Sequence, residues 1–221
     1  MRFILASQSP RRRELLASIG LEFDVMPSDI PEVHQPGESP EEYVARLSRD
    51  KAAAIAANHP DAWIIAADTT VLLGEELLEK PADDDDAKRM LATIAGKTHI
   101  VYSGVTLQNV ARGWRDTRVA ESEVRMLPLD ERDIAWYVST GEPLDKAGAY
   151  AVQGIGAMFI DSIHGSYTNV VGLPLALLFQ MLRRAGIDLL RESGGGSRES
   201  EMRSEADTSA PKPDTRRPAH D

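Results

Sequence analysis

The sequence predicts an α/β fold in which a mixed β-sheet is flanked by helices. Strand-like and helix-like segments alternate as far as about Arg191, where the predicted domain (residues 1–191) ends. Two long strand-like segments, residues 98–110 and 118–128, follow each other directly, as antiparallel neighbours do. No internal repeat interrupts this pattern. With 221 residues, 42% of them hydrophobic, the chain can bury the core of one substantial domain or two small ones.

The first strand-like segment, residues 2–7, leads into a helix that we expect to begin at about Pro10. Ser9 is a good N-cap, and Gly20 can take the left-handed position that ends a helix. Arginines 11–13 then lie in the first turn, where the helix dipole is already positive and each cation costs about 0.3–1 kcal/mol. Because guanidinium groups at a helix start bind phosphate oxygens, the segment is a candidate phosphate site. A solvated basic patch is the alternative.

The later elements follow in chain order. We predict further helices over residues 39–59, which has a capped start, 83–96, 130–140 and 172–186. We predict strands over residues 63–73, which is rich in β-branched residues, 98–110, 118–128 and 157–165. The acidic run 83–86 is interpreted as a helix start, which the dipole favours, rather than as a metal site. Residues 192–221 contain no Val, Ile, Leu or aromatic residue, so we predict a disordered polar tail. Folding of this tail on a partner is the alternative.

Composition excludes several classes of protein. The net charge of −10 weighs against binding to nucleic acid. Without cysteine there is no disulfide, thiol nucleophile or thiolate metal site, so any metal would be a hard cation with oxygen ligands. No run approaches about 18 apolar residues, and the N-terminal segment lacks the features of a signal peptide. We therefore expect a cytoplasmic protein that does not contact a membrane.

Asp68 is the leading candidate for a catalytic residue. Its carboxylate follows an apolar run, at what we predict to be the end of a buried strand. A buried carboxylate without a partner costs several kcal/mol, so we expect a cation, a metal or strong donors beside it. Ligands of α/β sheets bind at the carboxyl ends of strands, which suits this position. An N-cap or turn aspartate is the alternative.

Further polar residues could complete a ligand site. Lys51, Lys80 and Glu32 are ordinary surface residues when taken singly. Together they would suit a polyphosphate, which needs cations and a second carboxylate to help hold a magnesium-type ion. The segment 141–175 is rich in small residues, so a ligand can approach its backbone, and Gln153 offers a donor and an acceptor to a base edge. A glycine-rich core turn is the alternative for this segment.

Six motifs resemble those of one known family. They read SQSPRRRELL, ADTTV, EKPAD, VYSGV, DKAGAYAVQG and SYTNVVGLPL, in the order and approximate spacing of the Maf family of nucleotide pyrophosphatases. The resemblance covers nearly all of residues 1–191. It implies a mixed α/β fold related to the inosine triphosphatase type, and hydrolysis of nucleoside triphosphates to the monophosphate and pyrophosphate with Mg²⁺ or Mn²⁺. A homodimer is a further expectation from the family.

The resemblance also implies roles for single residues. Asp68 matches the catalytic acidic residue of the family, described as the proton acceptor. Arg11, Thr69 and Gln153 match positions associated with substrate choice. The DKAGAY motif followed by glutamine resembles the subgroup that acts on dTTP and UTP, not the one that acts on 7-methyl-GTP. Ser103 stands where many members have threonine.

These observations combine into one hypothesis. The helix start with Ser9, Arg11 and Arg12, together with Lys51 and Lys80, binds the triphosphate. A divalent cation held with help from Asp68 and Glu32 bridges phosphate oxygens, and water oriented or deprotonated by Asp68 attacks the α-phosphorus. Whether Asp68 is base, metal ligand or both stays open at this point. Two alternatives remain, a house-cleaning pyrophosphatase for purines such as inosine triphosphate, and a non-catalytic nucleotide-binding regulator of cell division.

Overall fold

The structure is a computed structural model of the chain and describes residues 1–189. Within them, Met1–Ile187 form one compact unit. The predicted boundary at Arg191 and the predicted tail over residues 192–221 lie outside the described residues. No helix among residues 1–189 is both long and apolar enough to cross a membrane.

A mixed sheet forms the centre of this unit, as predicted. Its strands within the described residues are β1 (Phe3–Leu5), β2 (Asp24–Val25), β3 (Trp63–Leu73), β4 (Glu76–Leu78), β5 (Thr98–Asn109), β6 (Trp114–Met126) and β7 (Ile160–Gly165). Their order is β2-β1-β3-β5-β6-β7, and β4 pairs with the C-terminal end of β3. β1 runs parallel to β2 and β3, whereas β3, β5, β6 and β7 pair antiparallel. β7 pairs only with the end of β6, from Ser122 to Met126.

Helices cover the sheet, and the first of them begins directly after its predicted cap, Ser9. They are α1 (Pro10–Ser18), α2 (Pro40–Ala56), α3 (Asp84–Ile94), α4 (Glu131–Ser139), α5 (Tyr167–Val171) and α6 (Leu175–Arg184), with 3₁₀ turns at Glu142–Asp145, Ala147–Ala149 and Ile155–Phe159. The side chains of Ser9, Ser39, Asp83 and Asp130 cap α1 to α4 by accepting backbone hydrogen bonds. Asp83 is therefore a cap, and the acidic run is a helix start.

Some predicted boundaries were wrong. The strand expected over residues 157–165 begins only at Ile160, because the residues before it form a 3₁₀ turn. The last helix begins at Leu175 rather than near Gly172, and α5 precedes it without having been predicted. β2 and β4 were also missed, because two or three residues give no detectable periodicity.

The position of α2 on the sheet is set by close packing. Ala52 and Ala56 of this helix pack against Ile64 and Ala66 of β3. On the neighbouring strand, a Cβ added at Gly104 would lie 2.2 Å from the carbonyl oxygen of Val44. A larger residue there would force α2 away from the sheet.

The interior also contains a histidine. His99 is 1% exposed, and its Nε2 lies 2.8 Å from the hydroxyl of Tyr150. No partner for its Nδ1 is found among the described residues. Burial deprives the cationic ring of hydration and lowers the pKa of His99 to about 4.

We expect His99 to make folding stability depend on pH. The unfolded chain takes up the proton near the ordinary pKa of 6.5, whereas the folded protein does so only near 4. The unfolded state therefore binds more protons between these values. About 3 kcal/mol of stability, fully present above the upper value, is lost as the pH falls through this window. Urea unfolding at about pH 7.5 and about pH 4.5 should show this loss in the wild type and a smaller one in His99→Gln, which cannot titrate. Equal losses in both proteins would contradict the assignment.

Candidate active site

A cavity of about 680 Å³ lies where the loop after β1 meets β3. Its lining contains the charged residues Arg11, Arg12, Asp29, Glu32, Lys51, Asp68, Glu79, Lys80, Asp145 and Lys146. Apolar side chains line it as well, among them Val71, Val101, Tyr150, Val152 and Val171. The cavity thus brings together every predicted site residue except Gln153, with both charge signs and an apolar surface in one volume.

Asp68 lies inside β3, not at its end as predicted. The strand continues to Leu73 because the residues after Asp68 are again β-branched and apolar, and Asp68 pairs in register with Gly104. On its other side, β3 pairs with the parallel strand β1 only as far as Ile65. Asp68 therefore stands beyond the carboxyl end of its parallel neighbour, which is the edge where α/β sheets bind ligands.

Asp68 and Glu32 share one lysine. The ammonium of Lys51 lies 2.6 Å from Asp68 Oδ1 and 2.6 Å from Glu32 Oε1. Lys51 and Asp68 are only 5% and 6% exposed, so each compensates a charge whose burial alone would be costly. Asp68 Oδ2 makes no hydrogen bond to any described residue, which leaves one carboxylate oxygen for water or a ligand.

The charges around Glu32 keep its carboxyl ionised. Burial opposes ionisation, but the hydrogen bond and charge of Lys51, with the charges of Lys80 and Arg12, outweigh it and lower the pKa of Glu32. Lys80 itself is exposed at the cavity, and no ion pair with another described residue is found for it. Its ammonium is thus available to an anion.

The guanidinium of Arg12 is largely engaged by the protein. Its hydrogen bonds reach the carbonyl oxygens of Ala67 and Gly172, both at 2.8 Å, and the hydroxyls of Thr69 at 3.1 Å and Ser7 at 3.2 Å. Four of its five N–H donors are used in this way. The side chain ties the loop after β1, the β3 residues beside Asp68 and the end of α5 to each other. Binding of the triphosphate by Arg12 stays a prediction.

Arg11 is held differently. Its Nη1 lies 3.3 Å from Asp145 Oδ2, and the Asp145 side chain is 63% exposed. Asp145 also pairs with Lys146. Because this ion pair is open to water, a ligand anion can replace the carboxylate at low cost.

Hydroxyl groups occupy the remaining predicted positions. Ser9 Oγ accepts a long hydrogen bond of 3.4 Å from the backbone N–H of Arg12 and lies at the cavity. Thr69 Oγ1 lies 2.8 Å from the hydroxyl of Ser103, which donates to the carbonyl oxygen of Asn169 at 3.2 Å. A threonine at Ser103 would offer the same hydroxyl, so this departure from the family pattern leaves the contact intact.

Gln153 is not among the residues that line the cavity. It is half-buried and directly follows Val152, which does line it. No hydrogen bond of its side-chain amide to another described residue is found, so the amide is free for a ligand. Its role in substrate choice stays a prediction.

One pair at the cavity was not predicted. The hydroxyl of Tyr43 donates to Glu79 Oε1 at 2.6 Å. Burial, and then this hydrogen bond and the charge of Glu79, raise the pKa of Tyr43, which keeps the phenol protonated as a donor. The four-residue spacing of Tyr43, Leu47 and Lys51 along one face of α2 was the available signal.

Residues 2–185 match the family of Maf-like proteins, a range that contains every residue of the site. The chain belongs to the Maf family. This confirms the resemblance found in the sequence, and the cavity of this Maf protein lies within the matched range throughout.

Individual relatives carry more detailed names. A protein of Myxococcus xanthus (strain DK1622) named dTTP/UTP pyrophosphatase is 50% identical over 186 residues, which is 84% of this Maf chain and 93% of the relative. One of the same name from Syntrophus aciditrophicus (strain SB) is 48% identical over 185 residues, or 84% and 90% of the two chains. Among solved structures, the Staphylococcus aureus Ham1 protein has a TM-score of 0.44 at 14% identity, and covers 84% of this chain and 100% of its own.

The two neighbouring arginines should differ in their effect on stability. In Arg12→Ala the two carbonyl groups lose their donor, so we expect the ligand-free protein to lose about 2–4 kcal/mol of unfolding free energy. In the matched control Arg11→Ala only an exposed ion pair is lost, and the change should stay below about 1 kcal/mol. Chemical denaturation of both variants measures the difference. Similar losses would show that Arg12 does not hold the site together.

Proposed function

We propose that this chain hydrolyses dTTP and UTP to the nucleoside monophosphate and pyrophosphate. The observation that carries the proposal is the buried Asp68, with one free carboxylate oxygen, in a cavity that also presents Arg11, Lys51 and Lys80. A nucleophilic water needs such an acceptor, and a triphosphate needs such cations. The names of the Maf relatives with 48% and 50% identity support the choice of dTTP and UTP.

The cations suit a triphosphate chain. Lys80 makes no ion pair or hydrogen bond with another described residue, and Arg11 pairs only with an exposed carboxylate, so both can turn to phosphate oxygens without a large loss. Both lie at the cavity with the N-terminus of α1, whose dipole favours an anion. The unfavourable charge of an arginine in the first helical turn is thereby offset once a phosphate is bound.

The proposal includes a divalent cation, Mg²⁺ or Mn²⁺. Asp68 and Glu32 contact the same ammonium, so their carboxylates converge, and oxygen donors suit a hard cation. Among residues 1–189 there is no group of three or more His, Cys, Asp or Glu that could hold a metal by itself. Magnesium typically takes one or two carboxylates and completes its shell with water and substrate phosphates. This pair permits that, because an ionised carboxylate has about four acceptor sites and Lys51 uses one on each. When bound, the ion supplies positive charge that neutralises the phosphate oxygens.

The chain's own residues then perform the reaction. Asp68 Oδ2 accepts a hydrogen bond from water and takes its proton as the water oxygen forms a bond to the α-phosphorus. The bond from the α-phosphorus to the bridging oxygen breaks, and pyrophosphate leaves with the bonding electron pair. Lys51 holds Asp68 Oδ1 in place. Arg11 and Lys80 stabilise the negative charge that develops on the leaving pyrophosphate. The proton then passes from Asp68 to solvent.

We further propose that the protein lies in the cytoplasm, forms a homodimer and does not bind nucleic acid. Their support is the composition and charge of the chain and, for the dimer, the family expectation. Light scattering after gel filtration measures the assembly.

The function is tested by pyrophosphate release in the wild type and in Asp68→Asn. We expect release from dTTP and UTP with added Mg²⁺ or Mn²⁺, and no turnover in the variant. Its nucleotide affinity should stay within about tenfold, or 1.4 kcal/mol, because Asn keeps the volume and Lys51 keeps Glu32 as its partner. Turnover of the variant within a few-fold of wild type would remove Asp68 from catalysis. Release from inosine triphosphate alone would favour the purine alternative, and binding without release would favour the regulator.

Gln153→Ala tests how the base is chosen. If the free amide pairs with the O4 and N3–H edge of thymine or uracil, kcat/KM for dTTP and UTP should fall. The expected fall corresponds to a loss of about 1–3 kcal/mol in transition-state binding. Purine triphosphates should lose much less. The comparison is made by measuring kcat/KM for dTTP, UTP, CTP, GTP and ITP. An equal fall in kcat/KM for all five would show that Gln153 only stabilises its loop.

A further inference from the structure

We propose that Glu142, acting with Tyr137, is a positioning residue that fixes the segment 151–156 beside the cavity and thereby sets the preference for the base. The inference rests on the proposed function and deepens it. Ala151 and Val152 of this segment line the cavity, and Gln153 follows them. Glu142 itself does not line the cavity, so it acts through the segment.

The carboxylate of Glu142 caps a turn that has no cap of its own. The 3₁₀ turn Ile155–Phe159 has Gly154 at its N-cap, where no side chain can accept a hydrogen bond. Glu142 takes this role across twelve or more residues of chain, because Oε2 accepts from the N–H of Ile155 at 3.0 Å and Oε1 from the N–H of Gly156 at 2.8 Å. The C-terminal end of the segment is thus held by one side chain.

Gly154 allows the carboxylate to come this close. Its backbone has φ 79° and ψ −145°, a conformation that is essentially restricted to glycine. A Cβ built there would lie 2.5 Å from Glu142 Oε2, so the carboxylate packs directly against the backbone. Gly154, the residue next to Gln153, is therefore held both by its close contact with the Glu142 carboxylate and by the hydrogen bonds of the residues that follow it.

Tyr137 holds the other end of the segment. Its hydroxyl donates to Glu142 Oε1 at 2.8 Å and accepts from the N–H of Ala151 at 3.1 Å. The ring is fully buried and packs edge-on against Phe159 at 5.1 Å between centroids, which fixes the hydroxyl. Gln153 lies between the two anchored ends.

Glu142 also reaches the opposite part of the site. Its carbonyl oxygen accepts a hydrogen bond from Lys146 at 2.8 Å, and Lys146 pairs with Asp145, the partner of Arg11. The hydrogen bonds from the backbone and Tyr137 outweigh burial and lower the pKa of the Glu142 carboxyl. The ionised carboxylate can only accept hydrogen bonds, as its three donors, two backbone N–H groups and the Tyr137 hydroxyl, require.

The experiment compares Glu142→Gln with a matched control, Glu131→Gln, which removes an exposed carboxylate of α4. The amide keeps the volume but presents N–H₂ to one of the backbone donors, so that hydrogen bond is lost. We expect the ratio of kcat/KM for dTTP to that for GTP to fall about tenfold in Glu142→Gln, mainly through KM for dTTP, and to stay unchanged in the control. Tyr137→Phe should lower the ratio in the same direction, and its effect should not add to that of Glu142→Gln, since both variants act through one network.

A purely structural role gives a different result. The proposal would be overturned if Glu142→Gln lowers the melting temperature but leaves the ratio of kcat/KM for dTTP to that for GTP unchanged. If Glu142→Gln does not fold, the same result in Tyr137→Phe would overturn it. Affinities for dTTP and GTP are also measured by calorimetry in the Asp68→Asn background. If the wild type releases no pyrophosphate, the proposed function fails, while the ratio of these affinities still decides the role of Glu142.

Discussion

The site depends on the point at which one strand stops. β1 pairs with β3 over three residues and then leaves the sheet, while β3 continues for eight more, from Ala66 to Leu73. Ala67, next to Asp68, thereby loses a strand partner on that side, and a buried carbonyl group without a donor is costly. Arg12 supplies the donor from the helix that follows β1. A side chain thus takes the place of backbone pairing and leaves room for a cavity where a strand would otherwise lie.

The electrostatics of the site follow from this geometry. The space beyond β1 is bounded by β3 and α2, so Asp68 and Lys51 form a direct, buried ion pair there. In such surroundings an ion pair is stronger than at the surface, and losing one partner leaves a buried charge alone. Arg11, which pairs with an exposed carboxylate, and Lys80, which makes no ion pair with another described residue, lie at more open positions that an anion can reach.

Much of the fold and part of the site could be predicted from the sequence. The cap Ser9, the capped helix over residues 39–59 and the helix start at the acidic run 83–86 were recognisable, because helix starts depend on neighbours along the chain. Asp68 was recognised by its apolar surroundings, but its place within β3 was not, since strand ends depend on which neighbour continues the sheet. The engagement of Arg12 by Gly172, 160 residues away, and of Glu142 by Gly156 depends on tertiary contacts. Local patterns contain no signal for such contacts, and the Maf motifs helped only where they named a residue.

The short pairing of β7 with β6 has a consequence for solubility. Since β7 covers only Ser122–Met126, the first half of β6 has no second strand beside it within the described residues. An open edge of this kind invites other chains to add strands and is a common origin of aggregation. Here the half without a second strand carries Arg115, Asp116, Arg118 and Glu121, whose charges would lose hydration in any intermolecular ladder. The edge is thereby protected by its side chains, and replacing them with apolar residues would remove that protection without touching the cavity.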